Sequence, residues 1–107
     1  MTRTAISKGE YCLSKPFAEE TYPFGPEVTV FKVRCKIFAL TPAADHPTTL
    51  NLKCNPTRSI ILRQEHPEII PGYRLNKDHW NTLALTGDLP DALIRELIDY
   101  SYWLVIN

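Results

Sequence analysis

Val28-Thr29-Val30-Phe31-Lys32-Val33-Arg34-Cys35-Lys36-Ile37-Phe38-Ala39-Leu40-Thr41 is the stretch on which the fold turns. Val28–Val33 and Ile37–Thr41 are rich in β-branched and aromatic side chains, which suit a pleated surface, so the two runs read as neighbouring antiparallel strands. A tight turn at Arg34-Cys35 would set Phe31 opposite Phe38 and Thr29 opposite Leu40, and the aromatic pair favours that register. Arg-Cys is a poor sequence for a two-residue hairpin turn, whose central positions want Gly or Asn at positive φ, so a slightly longer loop is the alternative.

After the loop Pro42–Pro47, Thr49-Leu50-Asn51-Leu52-Lys53-Cys54 alternates polar and apolar. It is a strand with Leu50, Leu52 and Cys54 inward and Asn51 and Lys53 outward. Asn55-Pro56 then starts a helix, with Asn as cap and Pro in the first turn, where its missing N–H is no loss. That helix runs to about His66 and stops at Pro67. On the other side of the hairpin, a helix is expected over about Thr4–Lys15, weakened at Gly9 and closed by Pro16. Tyr22-Pro23-Phe24-Gly25-Pro26 is a loop.

Downstream, Pro71-Gly72 marks a turn into a short strand at Tyr73-Arg74-Leu75, and Asn76 caps one helical turn over Lys77–Trp80. Thr82–Thr86 reads as the last strand. Pro90 opens a final helix in which Leu93, Ile94, Leu97, Ile98, Leu104 and Val105 fall on one stripe. Asp91, Glu96 and Asp99 fall away from it as an acidic outer face. The order is α-β(3)-α-β(2)-α. Short connections between the first three strands make this an α+β domain, two layers deep, with a five-stranded antiparallel sheet under its helices.

The chain has 107 residues, 44% hydrophobic and 22% charged, the size and make-up of one globular domain spanning 1–107. No apolar run reaches the roughly 20 residues of a membrane span, and Met1–Lys8 lacks a secretory signal, so a cytoplasmic location and no membrane partner are expected. Cys12, Cys35 and Cys54 include no C-x-x-C pair and read as reduced, largely buried thiols. His46, His66 and His79 supply no paired H-x₃₋₅-H motif, so neither a metal nor another cofactor is expected.

Net charge is zero, but it is unevenly distributed: residues 1–29 carry −1, residues 30–80 carry +4 and residues 81–107 carry −3. A basic middle and an acidic last helix follow. Arg74-Leu75-Asn76-Lys77-Asp78-His79-Trp80-Asn81-Thr82 concentrates cations, amides, an imidazole and an indole. As a binding site it offers Arg and Lys to phosphate, Asn to paired hydrogen bonds and Trp to stacking. The plainer alternative buries Trp80 and Leu75 in the core and leaves Asn76 and Asp78 to cap a turn. Lys53, with Arg58 and Arg63 of the second helix, could extend the basic surface; the commoner alternative is that charges on a helix exterior are simply solvated. Phe24, Tyr22, Phe31 and Phe38 either line a ligand groove or complete the core, the commoner role in so small a domain. No nucleophile elbow, phosphate loop or paired carboxylate appears, so no enzymatic reaction is expected.

Tyr11-Cys12-Leu13-Ser14, Tyr22-Pro23-Phe24-Gly25, Val30-Phe31-Lys32-Val33, Phe38-Ala39-Leu40, Asn51-Leu52-Lys53-Cys54, Pro71-Gly72-Tyr73, and Leu75-Asn76-Lys77 followed by His79-Trp80-Asn81-Thr82 come in an order that resembles the MmcQ/YjbR family. The likeness continues through Leu89-Pro90-Asp91 and the last helix. It implies the two-layer α-β(3)-α-β(2)-α fold, similar to CyaY-like and secretion-chaperone-like architectures. It also implies DNA binding by analogy with a "double wing", in which hairpins contact the duplex. Relatives usually carry Gly at the first hairpin turn; Arg34-Cys35 makes the tip here more basic and sterically less easy. The expected function is therefore a small cytosolic non-enzymatic module that binds DNA through Lys32, Arg34, Lys36, Lys53, Arg74, Lys77 and His79. The alternative is a protein-interaction or chaperone-like adaptor, its partner another protein or a second copy.

Overall fold

The computed structural model of the protein describes residues 8–44, 47–72 and 75–107. Its elements are α1 (Lys8–Leu13), β1 (Glu19–Thr21), β2 (Val28–Val33), β3 (Lys36–Pro42), β4 (Thr49–Lys53), α2 (Pro56–Glu65), β5 (Ile69–Pro71), β6 (Trp80–Ala84) and α3 (Asp91–Ile106). The strands form one antiparallel sheet in the order β1-β2-β3-β4-β6-β5. The α+β architecture with an antiparallel sheet is as expected, but the described residues form six strands rather than five.

The added strand, β1, is three residues long and mostly exposed. Two glutamates on a short edge strand give no hydrophobic signal, and such charge protects an edge from further pairing. β5 lies at Ile69–Pro71, ahead of its expected place; Tyr73 and Arg74 are outside the described residues. β6 begins at Trp80, two residues early, because the Asn76 turn ends at His79: the Asn76 side chain accepts from Asp78 N at 2.9 Å and its carbonyl from Trp80 N at 2.9 Å. Gly72 packs against β6, where a Cβ would lie 2.8 Å from Trp80 Cβ.

The β2–β3 connection is the tight two-residue turn. Arg34 (φ 51°) and Cys35 (φ 65°) both occupy the left-handed region without being glycine, a conformation that costs L-residues about 1 kcal/mol or more each. The register starts as expected, with Val33 opposite Lys36 and Lys32 opposite Ile37, then slips so that Phe31 faces Ala39 and Val30 faces Leu40. Phe38 is therefore a bulge residue and does not oppose Phe31, nor Thr29 Leu40. A bulge lets neighbouring side chains turn to the same side. Phe38 and Ala39 both reach the core, with the Phe38 ring edge-on to Tyr102 at 5.4 Å and 6.5 Å from Phe31.

Phe31, Val33, Leu50, Leu52, Ile69 and Leu83 of the strands join Cys12, Leu62, Ile94, Leu97, Ile98 and Val105 of the helices in one cluster. That cluster fixes which face of the sheet is covered. At its centre Ser101, fully buried, does what a strand would otherwise do. Ala39–Leu52 and Leu40–Asn51 pair β3 with β4; at the next position Ser101 Oγ donates to Phe38 O (2.6 Å) and accepts from Lys53 N (2.9 Å). Asn55 caps α2 as expected, accepting from Thr57 N at 2.8 Å.

Candidate functional site

By strand alternation, the residues paired across Glu19–Lys32, Lys32–Ile37 and Lys53–Trp80 lie on the opposite, helix-free face of the sheet. The β2–β3 turn, the end of β4 and the start of β6 meet at one end of the sheet. That end therefore collects Lys32 and Lys53 on the helix-free face, Arg34 and Lys36 at the turn, and Lys77 and His79 in the loop before β6. Six of the seven sequence-proposed residues are brought together; the seventh, Arg74, lies outside the described residues.

Their availability differs. Lys36, Lys77 and His79 are exposed, and Lys32 and Lys53 half-buried. None of the five cations Lys32, Arg34, Lys36, Lys53 and Lys77 forms an ion pair among the described residues. Arg34 alone is drawn aside: its guanidinium donates to Ile106 O at 3.5 Å, at the C-terminus of α3 where the helix dipole favours a cation. Glu19 beside Lys32 and Asp78 beside Lys77 are the acids of this end. Trp80 is half-buried beside Lys53 and is no part of the core cluster. Its indole is thus neither the core plug that the plainer reading made it nor a fully open platform.

Arg58 and Arg63 do not extend this surface. Arg58 pairs with Glu96 and lies 4.5 Å over the Tyr100 ring, and Glu96 holds its guanidinium above the ordinary value. Arg63 Nε donates to Asn81 Oδ1 at 2.8 Å and Nη2 to Lys77 O at 2.6 Å, while Asn81 Nδ2 donates to Ser59 Oγ at 3.1 Å. Asn81 is thus the buried polar staple between α2 and β6.

Nor is the acidic face of α3 an unbalanced one. Asp91 pairs with Lys8 and with Arg95 (2.9 Å), Glu96 with Arg58, and Asp99 with Lys15. Lys8 holds the Asp91 carboxyl below its ordinary range through their hydrogen bond. Burial alone would lower Lys15, but hydrogen bonding and attraction to Asp99 raise it; Tyr11 is raised by burial and by donating to Asp99 at 2.8 Å. Of the thiols, Cys12 and Cys54 are buried as expected, and burial pushes Cys12 up to about 12, whereas Cys35 is exposed at the turn.

A second feature of the helix-free face was only partly foreseen. A groove of about 700 Å³ crosses β3, β4, β6 and β5, floored by Leu40, Asn51, Thr82 and Ile70 and walled by Phe24 and Leu75. Phe24 is the one of the four proposed aromatic residues that lines it, while Phe31 and Phe38 are core. The signal for an apolar second face lay in β2, where Val28 and Val30 alternate with Phe31 and Val33, making both pleats hydrophobic.

The YjbR family model matches residues 13–104. The chain belongs to the YjbR family. It is 41% identical to the uncharacterized protein YbdF of Escherichia coli O157:H7 over 95 residues, 89% of this chain and 78% of that one. It is 37% identical to the uncharacterized protein YjbR of Escherichia coli K12 over 98 residues, 92% and 83% of the two chains. Among solved structures, the Deinococcus radiodurans protein DR2400, a DUF419 domain, superposes with a TM-score of 0.85 at 44% identity over 92% of this chain and 75% of that one. A Pseudomonas syringae protein superposes at 0.76 with 29% identity, over 90% and 93%. The family thus accounts for the fold, and within the conspicuous Leu75–Thr82 stretch Asn76 and Asn81 have structural roles, in the turn and in the staple to α2.

Proposed function

We propose that this YjbR-family domain is a non-enzymatic module that binds DNA through the cationic end of its sheet. One observation carries the reading: Lys32, Lys36, Lys53 and Lys77 gather at that end without carboxylate ion pairs among the described residues, while the acids of α3 are held by Lys8, Lys15, Arg58 and Arg95 in the helix layer. A chain of zero net charge therefore has an end where cations outnumber acids, which is what phosphates respond to. Lys32 and Lys53 lie two strands apart, about 10 Å, and both face away from the helices. The indole of Trp80, adjacent to Lys53, supplies an apolar edge for a base.

The contacts are of the phosphate-positioning kind, which bind without strong sequence preference. Fluorescence anisotropy with single- and double-stranded oligonucleotides over a salt series tests the reading. The expected result is affinity that falls steeply with salt, with Trp80 emission quenched on binding in a Trp103→Phe background. No binding at about 50 mM salt, where counterion release is most favourable, would defeat it.

The adaptor reading is favoured by a separate observation. Phe17 is held at φ 60° and is 88% exposed, four residues along the chain from the exposed Leu13. A bulky residue in a strained backbone state with its apolar ring in water is suited to a protein contact. Light scattering that finds only monomer, with no change on Phe17→Ser, would remove that reading.

A further inference from the structure

We propose that the groove on the helix-free face is a binding site for a small, mainly apolar molecule carrying a cationic amine. Its volume, about 700 Å³, lies within the roughly 300–1,000 Å³ of small-molecule sites. The floor offers a ligand few unused polar groups: Thr82 Oγ1 donates to Asn51 Oδ1 at 2.5 Å, Asn51 Nδ2 donates to Leu40 O at 3.4 Å, and Thr41 Oγ1 donates to Thr49 O at 2.8 Å. An apolar body is what such a floor accepts.

The charge comes from the wall. Among the described lining residues Glu27 is the only charged one, and none of the described ion pairs involves it. Glu27 and Phe24 belong to the same loop, which is held in place at the end of β3 where Ala43 N donates to Glu27 O at 2.8 Å. Gly25, at φ 110°, lets the loop fold so that Glu27 Oε2 lies 2.8 Å from where a Cβ at residue 25 would stand. A carboxylate beside an aromatic ring is complementary to an ammonium group, through a charge-assisted hydrogen bond and the ring's negative face. The same carboxylate repels an anionic head group. The groove is thus chemically distinct from the cationic end of the sheet, and its occupancy does not depend on whether DNA binds there.

The test is an amide NMR titration of the whole chain with octylamine, octanol and octanoate, which share one alkyl body and differ in head-group charge. Octylamine is expected to shift the amides of Leu40, Asn51, Ile70 and Thr82 and to bind at least about fivefold more tightly than octanol, with octanoate weakest. Glu27→Gln should bring octylamine to the affinity of octanol and leave octanol unchanged; Phe24→Ala, at an exposed loop position, should weaken all three. Octanoate binding as tightly as octylamine, shifts that map away from the groove, no shifts with any probe, or indifference to Glu27→Gln would each overturn the proposal. So would concentration-dependent broadening of the same amides with a doubled mass by light scattering, since a second copy would then be the occupant.

Discussion

The two faces of this sheet are built from similarly apolar strands and have opposite fates. On the covered face Phe31, Phe38, Leu50 and Leu83 are fully buried against the helices, and the polar groups that enter, Ser101 and Asn81, have specific partners. The acids Asp91, Glu96 and Asp99 of α3 are paired with cations as well. On the helix-free face Lys32 and Lys53 have no ion pair among the described residues, Trp80 is half-exposed, and a groove stands open. A group whose partners lie within the chain contributes to stability, whereas one without them is available to something outside. The difference between the faces separates the residues that hold the fold from those that can act.

Four variants probe that division, in decreasing order of expected effect on stability. Phe38→Ala empties a fully buried site against Phe31 and Tyr102 and should cost about 3–5 kcal/mol in chemical denaturation. A loss under 1 kcal/mol would mean that the bulge relaxes and the covered face is not the rigid one. Ser101→Ala strands Phe38 O and Lys53 N, two backbone groups that the hydroxyl bridges, and should cost about 1–3 kcal/mol. Hydrogen exchange at Lys53 should rise with it.

Asp91→Asn should cost about 1 kcal/mol or less near neutral pH, because the pair with Lys8 is partly exposed. Its sign with pH is definite. The folded carboxyl lies below its ordinary 3.8, so the stabilisation is present above that value and disappears as pH falls through the lower folded pKa. Acid unfolding of the variant should accordingly lose part of its pH dependence below about pH 4; an unchanged acid profile would show that the pair contributes nothing. The smallest effect on stability is expected from the triple change Lys32→Gln, Lys53→Gln, Lys77→Gln, within about 0.5 kcal/mol of the parent. It should nevertheless weaken DNA binding and flatten the dependence of log K on log salt by up to about 3. A large stability loss with unaltered binding would erase the distinction between the two faces.

Much of the fold was legible locally. The Asn55-Pro56 start of α2, the alternation of Thr49–Lys53 and the stripe of α3 are each decided by neighbours within a turn or a pleat, and each reappears in the structure. What was misread depended on distant partners. The Phe38 bulge arises because a ring must meet both Phe31 and Tyr102, 64 residues away from it along the chain. Leu75–Thr82 looked rich in binding chemistry because a sequence does not show that Asn81 is already engaged with Ser59 and Arg63. In the same way, the acidic stripe of α3 looked unbalanced until α1 and α2 were placed beside it.

The candidate site followed the same rule. Lys32, Lys53 and Lys77 could be named from residue type, but their convergence is a property of strand order, since hairpin turn, β4 end and β6 start meet only in the antiparallel sheet. The groove required still more, because Phe24, Leu40, Ile70 and Leu75 come from four separate segments. By itself, then, the sequence determined the α+β class, the helix caps, the strand periodicity and the family, since these rest on contacts a few residues apart or on ordered motifs. Tertiary structure alone decided which charges are cancelled, which face of the sheet stays open, and where the groove and the cationic end lie. Those are set by which distant surfaces meet, and a charge or an apolar side chain acquires its role only once its neighbours in space are fixed.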